Sequence, residues 1–229
     1  MSVEREQGPR AEVCDEPPSG LTDAERLVRT AAFREILATG RPWDPASASD
    51  LGIDAASMRP AIDYLVEAGR ARTDERGRVT AAAGLSTDPT EHHILIGFGP
   101  RWTSCAYDAL GIFGALGADG VFATRSPSTG AAINVLFEGG RPVGSDAVLF
   151  YADPSCCSRP NEDWCPHVNL FEDRASAERW GQDHRVAARV LTLEEGTDLG
   201  ANEWRSLVKG HPWAPDGPGG KHPAGEGSR

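Results

Sequence analysis

The alternation of apolar and polar positions divides this chain into two differently patterned halves. Between about 22 and 84 the spacing is helical. Thr22 with Glu25 three residues on forms a reciprocal capping signal, and Leu27, Val28, Ala31, Ala32, Ile36 and Leu37 form an apolar stripe that Gly40 and Pro42 end. A short helix is predicted near 47–51. A longer one follows near 55–68, with Ile62, Leu65 and Val66 inward and Gly69 as its stop. ARTDERGRVT then reads as a hairpin turning around residues 74–77. From 85 to 210 short β-type runs dominate, at 93–98, 121–124, 132–137, 147–151, 168–171 and 187–193. Helices are expected at 104–116, 176–184 and 200–208.

Many short strands with few crossover helices predict an α+β fold with a mixed or antiparallel sheet. The helix–helix–helix–hairpin order of 21–84 is the pattern of a winged helix. The expected organisation is therefore a tail (1–20), a winged-helix-like domain (21–84), a sheet domain carrying the chemistry (85–210) and a second tail (211–229). Both tails are rich in charge, Pro and Gly.

Charge narrows the function. The 229 residues carry 34 acids against 23 Lys and Arg, a net charge of -11. Nucleic-acid binding needs clustered cations. Residues 22–84 hold nine arginines, no lysine and slightly more acids than arginines. The helix that would enter a DNA groove offers Arg59 against Asp63 and Glu67. The first half thus reads as a small domain that packs on the rest and covers a site. A metal-sensing transcription factor is the weaker alternative. No apolar run has membrane-spanning length, and the polar start MSVEREQGPRAEVCDEPP does not resemble a targeting segment. A cytoplasmic protein is expected, with no nucleic-acid or membrane partner.

In that reducing setting cysteines stay free. There are five: Cys14, Cys105, Cys156, Cys157 and Cys165. Their spacing fits no zinc module. Cys105 and Asp108 lie three residues apart at the start of a nearly all-apolar helix, so they share a face. Thr103 and Ser104 are candidate N-caps, which would put Cys105 in the first turn, where the helix dipole lowers a thiol pKa. Asp108, among apolar neighbours, would have a raised pKa and hold a proton near neutrality. Cys165, in Trp164-Cys165-Pro166-His167, stands at the start of a strand-like run. Two thiols and an acid suit the binding of a soft metal with a proton delivered beside it. Plainer readings stand beside this one. Cys105 is also a small buried hydrophobe, and Asp108 a structural acid or a partner of Arg101. His167 is a further ligand or an ordinary edge histidine. Cys156 and Cys157 are loop thiols or an auxiliary soft-metal relay, and Cys14 is a tail thiol.

Taken in order, these residues resemble the alkylmercury (organomercurial) lyases. The resemblance spans about 25–208 and runs through GRPWDPASASDLGID, AIDYL, GRVTAAAGLS, RWTSCAYDAL, TRSPSTGAAINV and DWCPHVNLFEDRASAERW. Cys105, Asp108 and Cys165 fall on the family's Cys-x-x-Asp and its later Cys before His-Val. It implies protonolysis of a carbon–mercury bond in mercury detoxification, giving a hydrocarbon and Hg(II). Cys105 and Cys165 would be mercury ligands and Asp108 the proton shuttle. No resident cofactor is implied. External thiols or a mercuric reductase would collect the product. A non-catalytic soft-metal-binding or metal-sensing protein on the same scaffold is the alternative. The chain departs from the family where Pro166 replaces a second Cys, where a structural Cys is absent and Ser126 stands near its place, and in the added Cys156-Cys157 pair.

Overall fold

The structure is a computed structural model and describes residues 21–47, 52–97, 99–154, 159–212 and 214. Cys14, Cys156 and Cys157 lie outside the described residues, as do most of both expected tails. The first helix, α1 (Asp23–Thr39), starts at the Thr22–Glu25 capping box and ends on Gly40 in the left-handed conformation. Its buried face is Val28, Ala32, Phe33, Ile36 and Leu37. Leu27 was expected inside and is 41% exposed, while Phe33 takes the inner position instead. A 3-10 turn (Pro45–Ser47) runs up to the short helix expected near 47–51, of which 48–51 lie outside the described residues. Helix α2 (Ala55–Glu67) buries Ile62 and Leu65 and leaves Val66 half-buried.

Strands β1 (Ala71–Thr73) and β2 (Val79–Ala82) form the expected hairpin. It does not stand apart. β2 continues through Ala83-Gly84 into β3 (Leu85–Ser86), which pairs with both β2 and β5 (Gly99–Thr103). β4 (His92–Ile96), β6 (Gly120–Arg125), β7 (Ala132–Glu138) and β8 (Arg141–Val143) complete an eight-stranded antiparallel sheet in the order β1-β2-β3-β5-β4-β6-β7-β8. A second antiparallel sheet has the order β10-β9-β11, from β9 (Val148–Ala152), β10 (Asn169–Phe171) and β11 (Ala188–Thr192). The fold is α+β, as predicted, and every strand pairing is antiparallel.

Three strands escaped the pattern: β3, β5 and β8. Two residues of β3 are too few to show a period. β5 contains Pro100, which argues against a strand. It is tolerated because β3 reaches only Trp102 and Thr103, leaving β4 as the sole neighbour at Pro100.

Two apolar clusters hold the molecule together. The smaller joins Val28, Ala32, Trp43, Ile62, Leu65 and Val79; the larger surrounds α3 (Ala106–Leu116). α1 contributes to both, through Val28 and Ala32 to one and Phe33, Ile36 and Leu37 to the other. α4 (Arg174–His184) covers the smaller sheet. α5 (Leu193–Val208) packs along α3. It begins seven residues earlier than the expected 200–208 and takes in Gly196 and Gly200. Those glycines serve a close crossing: a Cβ on Gly200 would stand 2.6 Å from the Cα of Gly111, and one on Gly111 would stand 2.5 Å from the Trp204 ring. Gly200→Ala should therefore lower stability by about 1–3 kcal/mol through overpacking, against a helix-propensity gain of about 1 kcal/mol. Urea unfolding measures the net sign, and a stabilised variant would contradict this packing.

Candidate active site

α3 is the most buried of the described helices, and Cys105 and Asp108 stand at its start. Cys105 is the N-cap itself, in extended conformation (φ -151°, ψ 175°), not a first-turn residue capped by Thr103 or Ser104. Those two are used differently. Thr103 Oγ1 donates to the Cys105 carbonyl at 2.9 Å, and the Ser104 N–H donates to the Gly84 carbonyl at 2.8 Å. Asp108 takes the third helical position and closes the cap. Its Oδ2 accepts the Cys105 N–H at 2.9 Å, while the Cys105 sulfur faces the Asp108 N–H.

Cys165 arrives from the other sheet. It opens a 3-10 turn (Cys165–His167) after a π-helical turn (Pro160–Trp164), one short turn before β10. The Val168 N–H returns to the Cys165 carbonyl, and the Val168 carbonyl accepts the Ala106 N–H at 3.1 Å. This last bond ties the Cys165 turn to the first residue of α3. The result is that both sulfurs and a carboxylate oxygen of Asp108 lie within 4.8 Å of one another, with all three residues buried. Metal–thiolate bonds run at about 2.3 Å for zinc, so a single soft ion between the sulfurs reaches both. Both thiols are free.

The remaining sequence candidates separate from this group. Arg101 does not pair with Asp108; its guanidinium donates to the carbonyls of Ile36, Leu37, Ala38 and Pro100. His167 lies against Trp180, at 6.3 Å between ring centroids, and outside the cluster. The sequence reading missed the aromatic wall. Tyr107 meets Tyr151, Trp164 and Trp204 edge-on at 5.0, 5.8 and 5.6 Å, and its hydroxyl donates to Glu203 at 2.8 Å. Only the position of Trp164 beside Cys165 hinted at it.

The electrostatics correct one expectation. Burial pushes the Cys105 thiol well up, and neighbouring Cys165 and Asp108 push the same way. Desolvation outweighs the helix start, so Cys105 rests as a thiol rather than a thiolate. Burial also lifts Asp108, to about 6, against the lowering pull of its bonds from Cys105. Glu203 raises it further and Arg29 lowers it.

Known proteins show which family has this fold. The family model for MerB, alkylmercury lyase, matches residues 85–204. The chain belongs to the alkylmercury lyase family. The enzyme accordingly acts on organomercurials, cleaving the carbon–mercury bond. An alkylmercury lyase of Streptomyces lividans is 27% identical over 186 residues, covering 77% of this chain and 81% of that one. The mercury-bound form of MerB2 shares the fold, with a TM-score of 0.72 at 21% identity over 83% of this chain and 93% of that one.

A carboxyl raised above its ordinary 3.8 stabilises the fold in its neutral form, and that contribution is lost as pH rises through about 6. Asp108→Asn should thus stabilise the enzyme at pH 8 by about 3 kcal/mol, roughly two pKa units at 1.36 kcal/mol each. The gain should vanish below the ordinary carboxylate value. Thermal unfolding at both pH values is the check, and an equal effect at both would refute the buried-charge explanation.

Proposed function

We propose that Cys105 and Cys165 hold the mercury of the organomercurial and that Asp108 carries the proton to its carbon. The convergence of two buried thiols on one buried carboxyl is the observation that supports this reading. The substrate reaches the site as a thiolate complex, R–Hg–SR′. Cys105 displaces that thiolate and its own proton leaves on R′SH. Its raised pKa makes it a poor free nucleophile but a strong, basic donor once bound to mercury. Cys165 then adds its sulfur, and its proton passes to the Asp108 carboxylate. A second sulfur donor pushes electron density toward carbon. Asp108 protonates that carbon as the carbon–mercury bond breaks, releasing RH and leaving Hg(II) on two sulfurs. One thiol proton ends on R′SH and one on the hydrocarbon, so the protons balance.

A pKa near 6 fits both duties. Asp108 is mostly ionised at neutral pH and ready to accept a proton, yet basic enough to share one with a thiol. External thiols would then strip Hg(II) from the sulfurs, directly or into a mercuric reductase. A cytoplasmic, thiol-rich setting suits this, within a mercury-resistance role. Residues 21–84 act in this reading as a winged-helix-like cover that seals the thiols from water rather than as a DNA reader; α1 brings Arg29 within electrostatic reach of Asp108.

The direct test is gas-phase detection of methane or benzene from methyl- or phenylmercury in excess thiol. Wild type should release hydrocarbon. Cys105→Ser and Cys165→Ser should lose at least about 100-fold, and Asp108→Ala should bind mercury while losing about 100- to 10,000-fold in release. Mercury binding without hydrocarbon from wild type would overturn the proposal. The kcat/KM should fall as pH drops through about 6, since a protonated Asp108 cannot accept the Cys165 proton. A flat profile from pH 5 to 8 would contradict that role.

A further inference from the structure

Asp108 has two oxygens with different surroundings. Oδ2 accepts the Cys105 N–H. Oδ1 faces the backbone of Gly84, where a Cβ would stand 2.6 Å from it, 2.5 Å from the carboxyl carbon and 2.8 Å from the Asp108 Cβ. No real Cβ tolerates such distances, so the bare Cα of Gly84 forms one wall of the carboxyl's slot. The wall is fixed from both sides. The Gly84 carbonyl accepts the Ser104 N–H, one residue before Cys105, and the Ala83 carbonyl accepts Trp204 Nε1 at 2.8 Å. Ala83 and Gly84 are successive left-handed residues, at φ 49° and 84°. A non-glycine residue in that region is uncommon and strained. The strain at Ala83 persists because α5, through Trp204, and the start of α3 hold the turn between them.

We propose that Gly84 is a positioning residue for the carbon–mercury cleavage: the Ala83-Gly84 turn, clamped between Trp204 and Ser104, presses a side-chain-free wall on Asp108 and aims Oδ1 as the proton-carrying oxygen. The inference rests on Asp108 being the shuttle. Oδ2 already accepts a backbone N–H, and so is the weaker site for a further proton. Among the described residues no backbone N–H donates to Oδ1. On one side it meets the Gly84 backbone. A side chain at 84 would swing the carboxyl off its cap and misdirect the proton, without touching either sulfur. The turn also links the hairpin half of the chain to the reacting group. This explains why β2 and β3 are joined by so tight a connection exactly where the sheet passes α3.

The experiment separates positioning from backbone strain. Gly84→Ala is compared with Gly130→Ala, which has the same left-handed strain (φ 72°) and nothing within 4 Å of the added methyl. Gly84→Ala should lower kcat for methane release at least tenfold, keep KM for methylmercury within about twofold and retain one Hg(II) per chain. Gly130→Ala should leave all three unchanged. An unaltered kcat in folded Gly84→Ala would overturn the proposal. The thermal stabilities of Gly84→Ala, Asp108→Ala and the double variant test the contact independently of turnover. With Asp108 shortened, the Gly84→Ala penalty should shrink to that of Gly130→Ala. Gly84→Ala that fails to fold but is rescued by Asp108→Ala supports the contact; failure of both, or additive penalties, refutes it. If wild type releases no hydrocarbon, the shuttle reading fails while the stability cycle still reports on the contact.

Discussion

The bond from the Cys105 N–H to Asp108 Oδ2 is the constraint on which the site depends. It is an ordinary capping-box bond in an unusual place. At the exposed start of α1 the same device, Thr22 with Glu25, satisfies orphan helix N–H groups and does nothing more. At α3 the cap sits in the apolar core, so the carboxyl that closes it is stripped of water. Its charge becomes costly and its proton affinity rises. The pairing of a Cys N-cap with an Asp at the third helical position places a thiol and a proton acceptor together before any partner arrives. The Ala106–Val168 bond then brings Cys165 to the same point. Local helix chemistry and one long-range backbone bond thus bring two buried thiols and a buried carboxyl to one point.

The surroundings serve that arrangement. The close α3–α5 crossing through Gly111 and Gly200 packs Trp204 against Tyr107, and Trp204 in turn holds the Ala83 carbonyl. Tyr151 and Trp164 close the other side. The site is dry because glycine allows α5 to approach and aromatic rings fill what remains. The cost is a destabilising carboxylate at neutral pH. A protein selected for stability alone would carry a neutral isostere at position 108.

Much of this was legible in the sequence. The cap of α1 was readable because a Thr–Glu capping box is local chemistry, and the strand β7 because its period is clean, with Ile133, Val135 and Phe137 inward. The cysteine–acid spacing was readable for the same reason. The beginning of α5, with its Thr192–Glu195 capping box, was missed, and with it the helical place of Gly196 and Gly200. Their purpose is tertiary and leaves no local trace. The direction of the Cys105 shift was misread. The apolar surroundings read as raising Asp108 raise Cys105 as well, and they outweigh its helix start. Gly84 was invisible as a site residue, since only the folded chain shows what lies against its missing side chain.

A carboxyl buried at the head of α3 and kept ready to take and give a proton is the core of this account. Carbon-13 NMR titration of the Asp108 side-chain carboxyl in the metal-free enzyme, assigned by comparison with Asp108→Asn, measures it directly. A midpoint near 6 is predicted. A midpoint in the ordinary range near 3.8 would show a solvated acid and contradict it.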